Sequence, residues 1–149
     1  MSVYADTSFL VSLYVLDANS EKAVSHIQEA KLPILQTPFG QLELTNAISL
    51  RLFRRELTAA QVKATRSLVQ KDLLDGVLQI KPMPVNSFEK AMQIARRRTP
   101  HMGTRTLDIL HVASALELKA EMFYTFDRNQ AQLARTEGLI VIPEITSEI

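Results

Sequence analysis

The 149-residue sequence contains no cysteine. That absence excludes disulfides, thiolate zinc sites and a cysteine nucleophile together, and makes a reducing, cytoplasmic compartment the expected setting. Glycine and proline are scarce, with 4 and 6 residues, too few and too scattered for a long linker or a low-complexity segment. Long apolar runs are missing as well. The stretch from Phe9 to Leu16 is interrupted by Ser12 and falls far short of a membrane span, so no membrane partner is expected. The N-terminus has no basic leader and carries Asp6 early, which argues against a signal peptide. What is present is ordinary soluble-domain composition, 46% hydrophobic. At this length it predicts one domain, residues 1–149, with a core of useful size.

A formal net charge of +1 hides an asymmetry. Residues 1–50 carry 2 basic and 5 acidic groups, residues 51–105 carry 12 and 4, and residues 106–149 carry 3 and 7. A basic middle between acidic flanks suits a polyanion held over an acidic, cation-binding centre. The plainer reading places the same charges on solvated helix faces.

Strand and helix signals alternate along the chain. Val3 to Ala5 is a short apolar run that predicts a buried strand, and Thr7 or Ser8 then caps a helix to about Leu16. A helix from about Ser20 carries Ala23, Val24, Ile27 and Ala30 on its apolar stripe, and Pro33 stops it before a strand at Ile34 to Gln36. Pro38 opens a long helix to about Arg54, Thr58 caps another, and Asp75-Gly76 turns the chain into a strand at Leu78 to Lys81. Ser87 to Arg98 is helical, with a break from Thr99 to Gly103. Thr106 to Leu118 is a strong amphipathic helix, followed by a strand at Met122 to Phe126. Asp127 caps a last helix to about Glu137, and Gly138 precedes a strand at Leu139 to Ile142. The pattern predicts an α/β fold with a mostly parallel sheet covered by helices on both faces.

Four carboxylates occupy telling places. Ligands of open parallel sheets sit beyond the carboxyl ends of strands, and Asp6 and Asp127 each follow a predicted strand. Each also has a plain role, Asp6 in a turn and Asp127 as a helix cap. Glu43 and Asp108 project from apolar helix stripes, Glu43 among Phe39, Ala47 and Leu50, and Asp108 among Val112 and Ala115. A lone buried carboxylate costs several kcal/mol, so each must be paired, protonated or bound to a cation. Asp108 could instead serve the helix dipole, and Glu43 could meet an arginine. If all four converge, hard oxygen ligands without cysteine or paired histidines favour Mg²⁺ or Mn²⁺ over zinc. The chemistry that wants such a centre is hydrolysis of a phosphodiester by a metal-activated water.

Four segments carry a resemblance: Y-A-D-T-S at Tyr4 to Ser8, E-L-T-N at Glu43 to Asn46, T-R-T-L-D-I-L-H-V-A-S-A at Thr104 to Ala115, and T-F-D-R-N-Q at Thr125 to Gln130. In this order they resemble PIN-domain proteins, of the kind found as the toxin of VapBC-type toxin–antitoxin pairs. The resemblance implies a three-layer α/β/α sandwich with a four- or five-stranded sheet and a Mg²⁺- or Mn²⁺-dependent endoribonuclease. It implies that Asp6, Glu43, Asp108 and Asp127 form the catalytic, metal-holding site. Asp6 and Asp108 would be direct ligands, Glu43 would orient or deprotonate the attacking water, and Asp127 would hold a metal water or a second ion. Thr7, Ser8 and Thr125 would hydrogen-bond carboxylates or metal waters, and Asn46 would support Glu43 from the next turn. The resemblance also implies a homodimer and a small antitoxin docked across the helices near residues 39–73. The alternative is a binding module of the same fold that holds RNA or a partner without cutting.

Other residues are weighed beside these. His111 shares a face with Asp108 and could donate a proton to a leaving oxygen; the plain expectation is a core-edge histidine with one ring nitrogen satisfied. Arg96, Arg97, Arg98 and Arg105 flank the break before the Asp108 helix and are candidates for RNA phosphate contacts, against the alternative of a solvated surface. The 6 Phe and 3 Tyr sit mostly in apolar stripes, so no series of surface aromatics for stacking on bases is visible.

Overall fold

The structure, a computed structural model, describes residues 1–144. The elements run β1 (Val3–Ala5), α1 (Thr7–Tyr14), α2 (Ser20–Glu29), β2 (Ile34–Gln36), α3 (Pro38–Phe53), α4 (Ala59–Leu74), β3 (Leu78–Ile80), α5 (Ser87–Met102), α6 (Thr106–Glu117), β4 (Met122–Tyr124), α7 (Arg128–Thr136) and β5 (Ile140–Ile142). The strands form one five-stranded sheet in the order β3-β2-β1-β4-β5, and every pairing is parallel.

Alternate side chains of these three-residue strands enter two separate cores. Tyr4, Leu35, Phe123 and Val141 pack with Ile94 of α5, Val112 and Ala113 of α6 and Leu133 of α7. Val3, Ala5, Ile34, Leu78 and Tyr124 pack on the opposite face with Phe9 and Leu10 of α1, Ala23 of α2, Leu44 and Ile48 of α3 and Val62 of α4. The architecture is therefore the three-layer α/β/α sandwich. Burial on both faces explains why Val3 to Ala5 reads as a continuous apolar run rather than an alternating one.

The strand order positions the site. The chain lays down β1, β2 and β3 in one direction, then crosses over so that β4 pairs with the other side of β1. That reversal opens a crevice between the carboxyl ends of β1 and β4, where parallel sheets bind ligands. The sheet ladder continues up to this crevice, since the Asp6 N–H donates to the Tyr124 carbonyl at 3.0 Å.

Two local expectations are corrected. The cap of α1 is Asp6, not Thr7 or Ser8: its backbone is extended and its carboxylate accepts the Phe9 N–H. The helix expected to stop at Arg98 continues through Pro100 to Met102 and ends on Gly103, at φ 60°. Proline removes the N–H that would bond the Arg96 carbonyl, but both residues are exposed, so water can satisfy that carbonyl. The break moves to Gly103, whose left-handed backbone suits glycine.

Helices α1 and α4, which share one layer, are joined by a polar contact, the Tyr14 hydroxyl donating to Asp72 Oδ2 at 2.7 Å. Tyr14→Phe keeps the packing and removes that bond. It is expected to lose about 1–2 kcal/mol, read as a lower denaturant midpoint with an unchanged m-value.

Candidate active site

Asp6 ends β1 and begins α1, so one residue serves as helix cap and crevice acid. Only 3% of it is exposed. Oδ1 accepts the Phe9 N–H (3.0 Å) and the Ser8 hydroxyl (2.7 Å), and Oδ2 accepts the Thr125 hydroxyl (2.6 Å). Burial pushes its carboxyl above the ordinary aspartate value, outweighing the His111 charge and the three hydrogen bonds that pull it down. Thr125 follows β4 and also accepts the Asp127 N–H at 3.0 Å. Asp127 caps α7 through Oδ1, which accepts the Gln130 N–H at 3.0 Å.

The other oxygen of Asp127, Oδ2, accepts from the Arg105 guanidinium at 3.2 Å, and the same guanidinium donates to Asp108 Oδ2 at 3.0 Å. Asp108 stands in the first turn of α6, three residues before His111. His111 reaches Glu43 of α3 through Nε2, which contacts Glu43 Oε1. The Thr7 hydroxyl donates to that same oxygen at 2.7 Å. Burial raises the Glu43 carboxyl, but the hydrogen bonds from His111 and Thr7 and the His111 charge prevail and hold it below the ordinary glutamate value. Hydrogen bonds thus join Asp6 to Asp127 through Thr125, Asp127 to Asp108 through Arg105, and Glu43 to Thr7 and His111; Thr7 follows Asp6 in the chain, and His111 shares α6 with Asp108. The residues come from four separate stretches of sequence.

The match to a family model decides the family. A PIN domain model matches residues 3–136. The chain belongs to the PIN domain family. Solved structures with the same fold include the toxin VapC20 of Mycobacterium tuberculosis, described as cleaving the sarcin-ricin loop (TM-score 0.68, 17% identity, covering 93% of this chain and 97% of that one). They also include VapBC2 of Rickettsia felis bound to a promoter DNA fragment (0.65, 14% identity, 95% and 97%) and FitAcB of Neisseria gonorrhoeae (0.65, 16% identity, 93% and 95%). No curated protein matches the chain in sequence.

The PIN family implies a divalent cation. Among the described residues no three of His, Cys, Asp and Glu form a ready-made metal cage. The donor set nevertheless fits a hard, well-hydrated ion. It is all carboxylate and hydroxyl oxygen, and Mg²⁺ takes only one or two direct carboxylates and keeps its waters. A cation already spans two of the acids, because Arg105 bridges Asp108 and Asp127 with a side chain 68% exposed.

The supporting residues fall into two groups. Thr7, Ser8 and Thr125 bond site carboxylates directly. Asn46 is exposed and makes no side-chain hydrogen bond among the described residues; Glu43 is held by Thr7 and His111 instead. Of the arginines, only Arg105 reaches the acids. Arg97 and Arg98 lie within α5 and both pair with Glu137 at the end of α7, with Arg97 Nη2 at 2.5 Å. Arg96 is exposed on α5. A polar cleft of about 210 Å³ adjoins Asp108, lined also by Thr104, Arg105, Asn129 and Gln132.

The sequence reading passed over Tyr4 and Gln36. The Tyr4 hydroxyl lies 2.7 Å from His111 Nδ1 and 3.1 Å from Gln36 Oε1, and all three residues are buried. Gln36 is fixed in turn, Nε2 donating to the Ala5 carbonyl at 2.7 Å and Oε1 accepting the Thr37 N–H at 2.8 Å. The signal was present: a phenol and an amide in fully buried strands must find partners. His111 is correspondingly more than a core-edge residue, since both ring nitrogens are engaged.

Two measurements test this arrangement. A Cβ on Gly40 would stand 1.9 Å from Gln36 Oε1. Gly40→Ala gains at most about 1 kcal/mol of helix propensity but overpacks a buried amide at about 1–3 kcal/mol, so it is expected to lower the melting temperature. Asp6 has a folded pKa above its unfolded one, so stability falls as pH rises from the ordinary carboxylate value through the folded value. In EDTA at neutral pH, Asp6→Asn is expected to melt no lower than the parent, and to lose its advantage below the ordinary carboxylate range. A lower melting temperature at neutral pH contradicts the assignment.

Proposed function

We propose that this protein is a Mg²⁺- or Mn²⁺-dependent endoribonuclease and the toxin of a toxin–antitoxin pair. The observation that carries the reading is the linkage of Asp6, Asp127 and Asp108 through Thr125 and Arg105, with Glu43 tied to α1 and α6 through Thr7 and His111. Asp6 and Asp108 would hold the ion, with Asp127 beside them. When bound, the ion lowers the pKa of a coordinated water and neutralises charge on the phosphate. Glu43 orients the attacking water and takes its proton. Thr7, Ser8 and Thr125 keep the carboxylates in place. Arg105, whose ion pairs are exposed to solvent and therefore weak, can exchange its carboxylates for an RNA phosphate. The neighbouring VapC20, described as cleaving the sarcin-ricin loop, supports RNA as the substrate class.

The partner reading rests on the outer face of α3 and α4, which exposes Leu42, Leu52, Leu68 and, at 82%, Phe53. An antitoxin segment laid across these helices would cover that surface. The neighbours described as VapBC2 and FitAcB support such a partner. A homodimer in the cytoplasm belongs to the same reading.

The deciding experiment incubates end-labelled RNA with Mn²⁺ and the purified protein. Cleavage is expected for the parent, is lost in EDTA, is restored by Mn²⁺, and is absent in Asp6→Asn and Asp108→Asn that remain folded. Undiminished cleavage by both variants would refute the proposal. A gel shift without any cut would favour the binding module.

A further inference from the structure

Gln36 and Tyr4 touch none of the four carboxylates, and His111 connects them to Glu43. We propose that His111 is the positioning residue of Glu43, locked in that role by Tyr4 and Gln36. It commits Oε1 of Glu43 and leaves Oε2 as the one oxygen this glutamate offers to a water or a cation.

The argument begins with the ring. His111 is buried, packed against Phe39 at a centroid distance of 4.5 Å and edge-on to Tyr4 at 5.8 Å. It has little room to rotate. The Tyr4 hydroxyl has a single proton and two acceptors in reach, His111 Nδ1 at 2.7 Å and Gln36 Oε1 at 3.1 Å. If the proton points at Nδ1, the ring proton sits on Nε2. If it points at Gln36, Nδ1 must donate to Tyr4, and both ring nitrogens carry protons. Either way Nε2–H donates to Glu43 Oε1. An Nε2 without a proton would set two lone pairs against each other in a buried contact.

The destination of that proton distinguishes positioning from core filling. Oε1 of Glu43 also receives the Thr7 hydroxyl, whereas Oε2 has no hydrogen-bond partner among the described residues. Two donors on one oxygen and none on the other fix the rotamer and make the carboxylate effectively one-sided. An aliphatic side chain at position 111 would fill the same core space but would give Glu43 no donor and leave the Tyr4 hydroxyl only Gln36. Gly40 completes the device, because its missing side chain leaves the space that Gln36 occupies. A histidine held by a partner on its far nitrogen so as to orient a group at its near nitrogen is the general logic of a positioning residue.

The inference rests on the nuclease reading for its effect on rate but not for its structural signature. That signature is read by nitrogen-15 NMR of histidine-labelled, metal-free protein. A proton bound to Nε2 of His111, shifted downfield and protected from exchange, is expected. Its loss in His111→Gln assigns it, and the isosteric Tyr4→Phe is expected to abolish its protection. An Nε2 without a bound proton, or protection unchanged in Tyr4→Phe, overturns the proposal. In the cleavage assay, His111→Leu is expected to lower kcat about 10- to 100-fold with KM for RNA unchanged. His111→Gln, which carries a donor of similar reach, recovers most of that loss. A His111→Leu protein as fast as the parent, or a glutamine variant no better than leucine, overturns it. Should the leucine variant not fold, Tyr4→Phe decides the kinetic question by the same kcat criterion. If the parent itself cuts no RNA, the nuclease reading fails and the NMR result alone settles this inference.

Discussion

The structure turns on one conflict, a carboxylate placed where burial disfavours its charge. Asp6 sits at the point where the strand order reverses, closed in by the ends of β1 and β4. Burial alone would neutralise it. Two hydroxyls and a helix N–H oppose that, and the cap position brings the favourable end of the α1 dipole as well. These groups hold the carboxylate in one orientation without cancelling its demand for positive charge. The remaining acids are less buried and are carried by α3, α6 and the start of α7.

Donors reach the acids from two sides in different ways. His111 approaches from within the core and is braced by buried polar atoms, so its place is fixed. Arg105 approaches from the solvent side and touches the acids only by its tip. Exposed ion pairs are weak because water competes for both partners, so this guanidinium is a replaceable counter-charge. One side of the site is therefore rigid and the other exchangeable, the arrangement expected where a charged ligand must enter and leave.

Much of this was legible in the sequence because local signals and global fold agree. Three-residue apolar runs, Pro38, Thr58 and the Asp75-Gly76 turn mark elements that tertiary packing has no reason to override. Asp6 and Asp127 could be placed because strand ends in parallel sheets have a known relation to ligands. The errors share a cause, which is that linear position does not reveal direction. Arg97 and Arg98 stand near Asp108 in sequence, yet α5 continues past Pro100 and turns them towards Glu137. Asn46 is one turn from Glu43 but faces solvent, while the partners Glu43 uses lie on α1 and α6. Tyr4 and Gln36 were hidden for a related reason: hydropathy patterns register that a strand is buried, not which polar atom inside it pairs with another element.

The position of β4 has a consequence for the birth of the protein. Its pairing with β1 joins the first strand made to the fourth, across nearly the whole length of the chain. Until β4 has left the ribosome, Asp6 lacks Thr125, and Asp127 is absent from the crevice. Chains fold from the amino end as they are synthesised, so an intermediate holding only the earlier half has the α1–α4 face and no complete acidic centre. For a polypeptide with the proposed activity, translation order would act as a safety catch, exposing the partner-binding helices before the cutting edge exists.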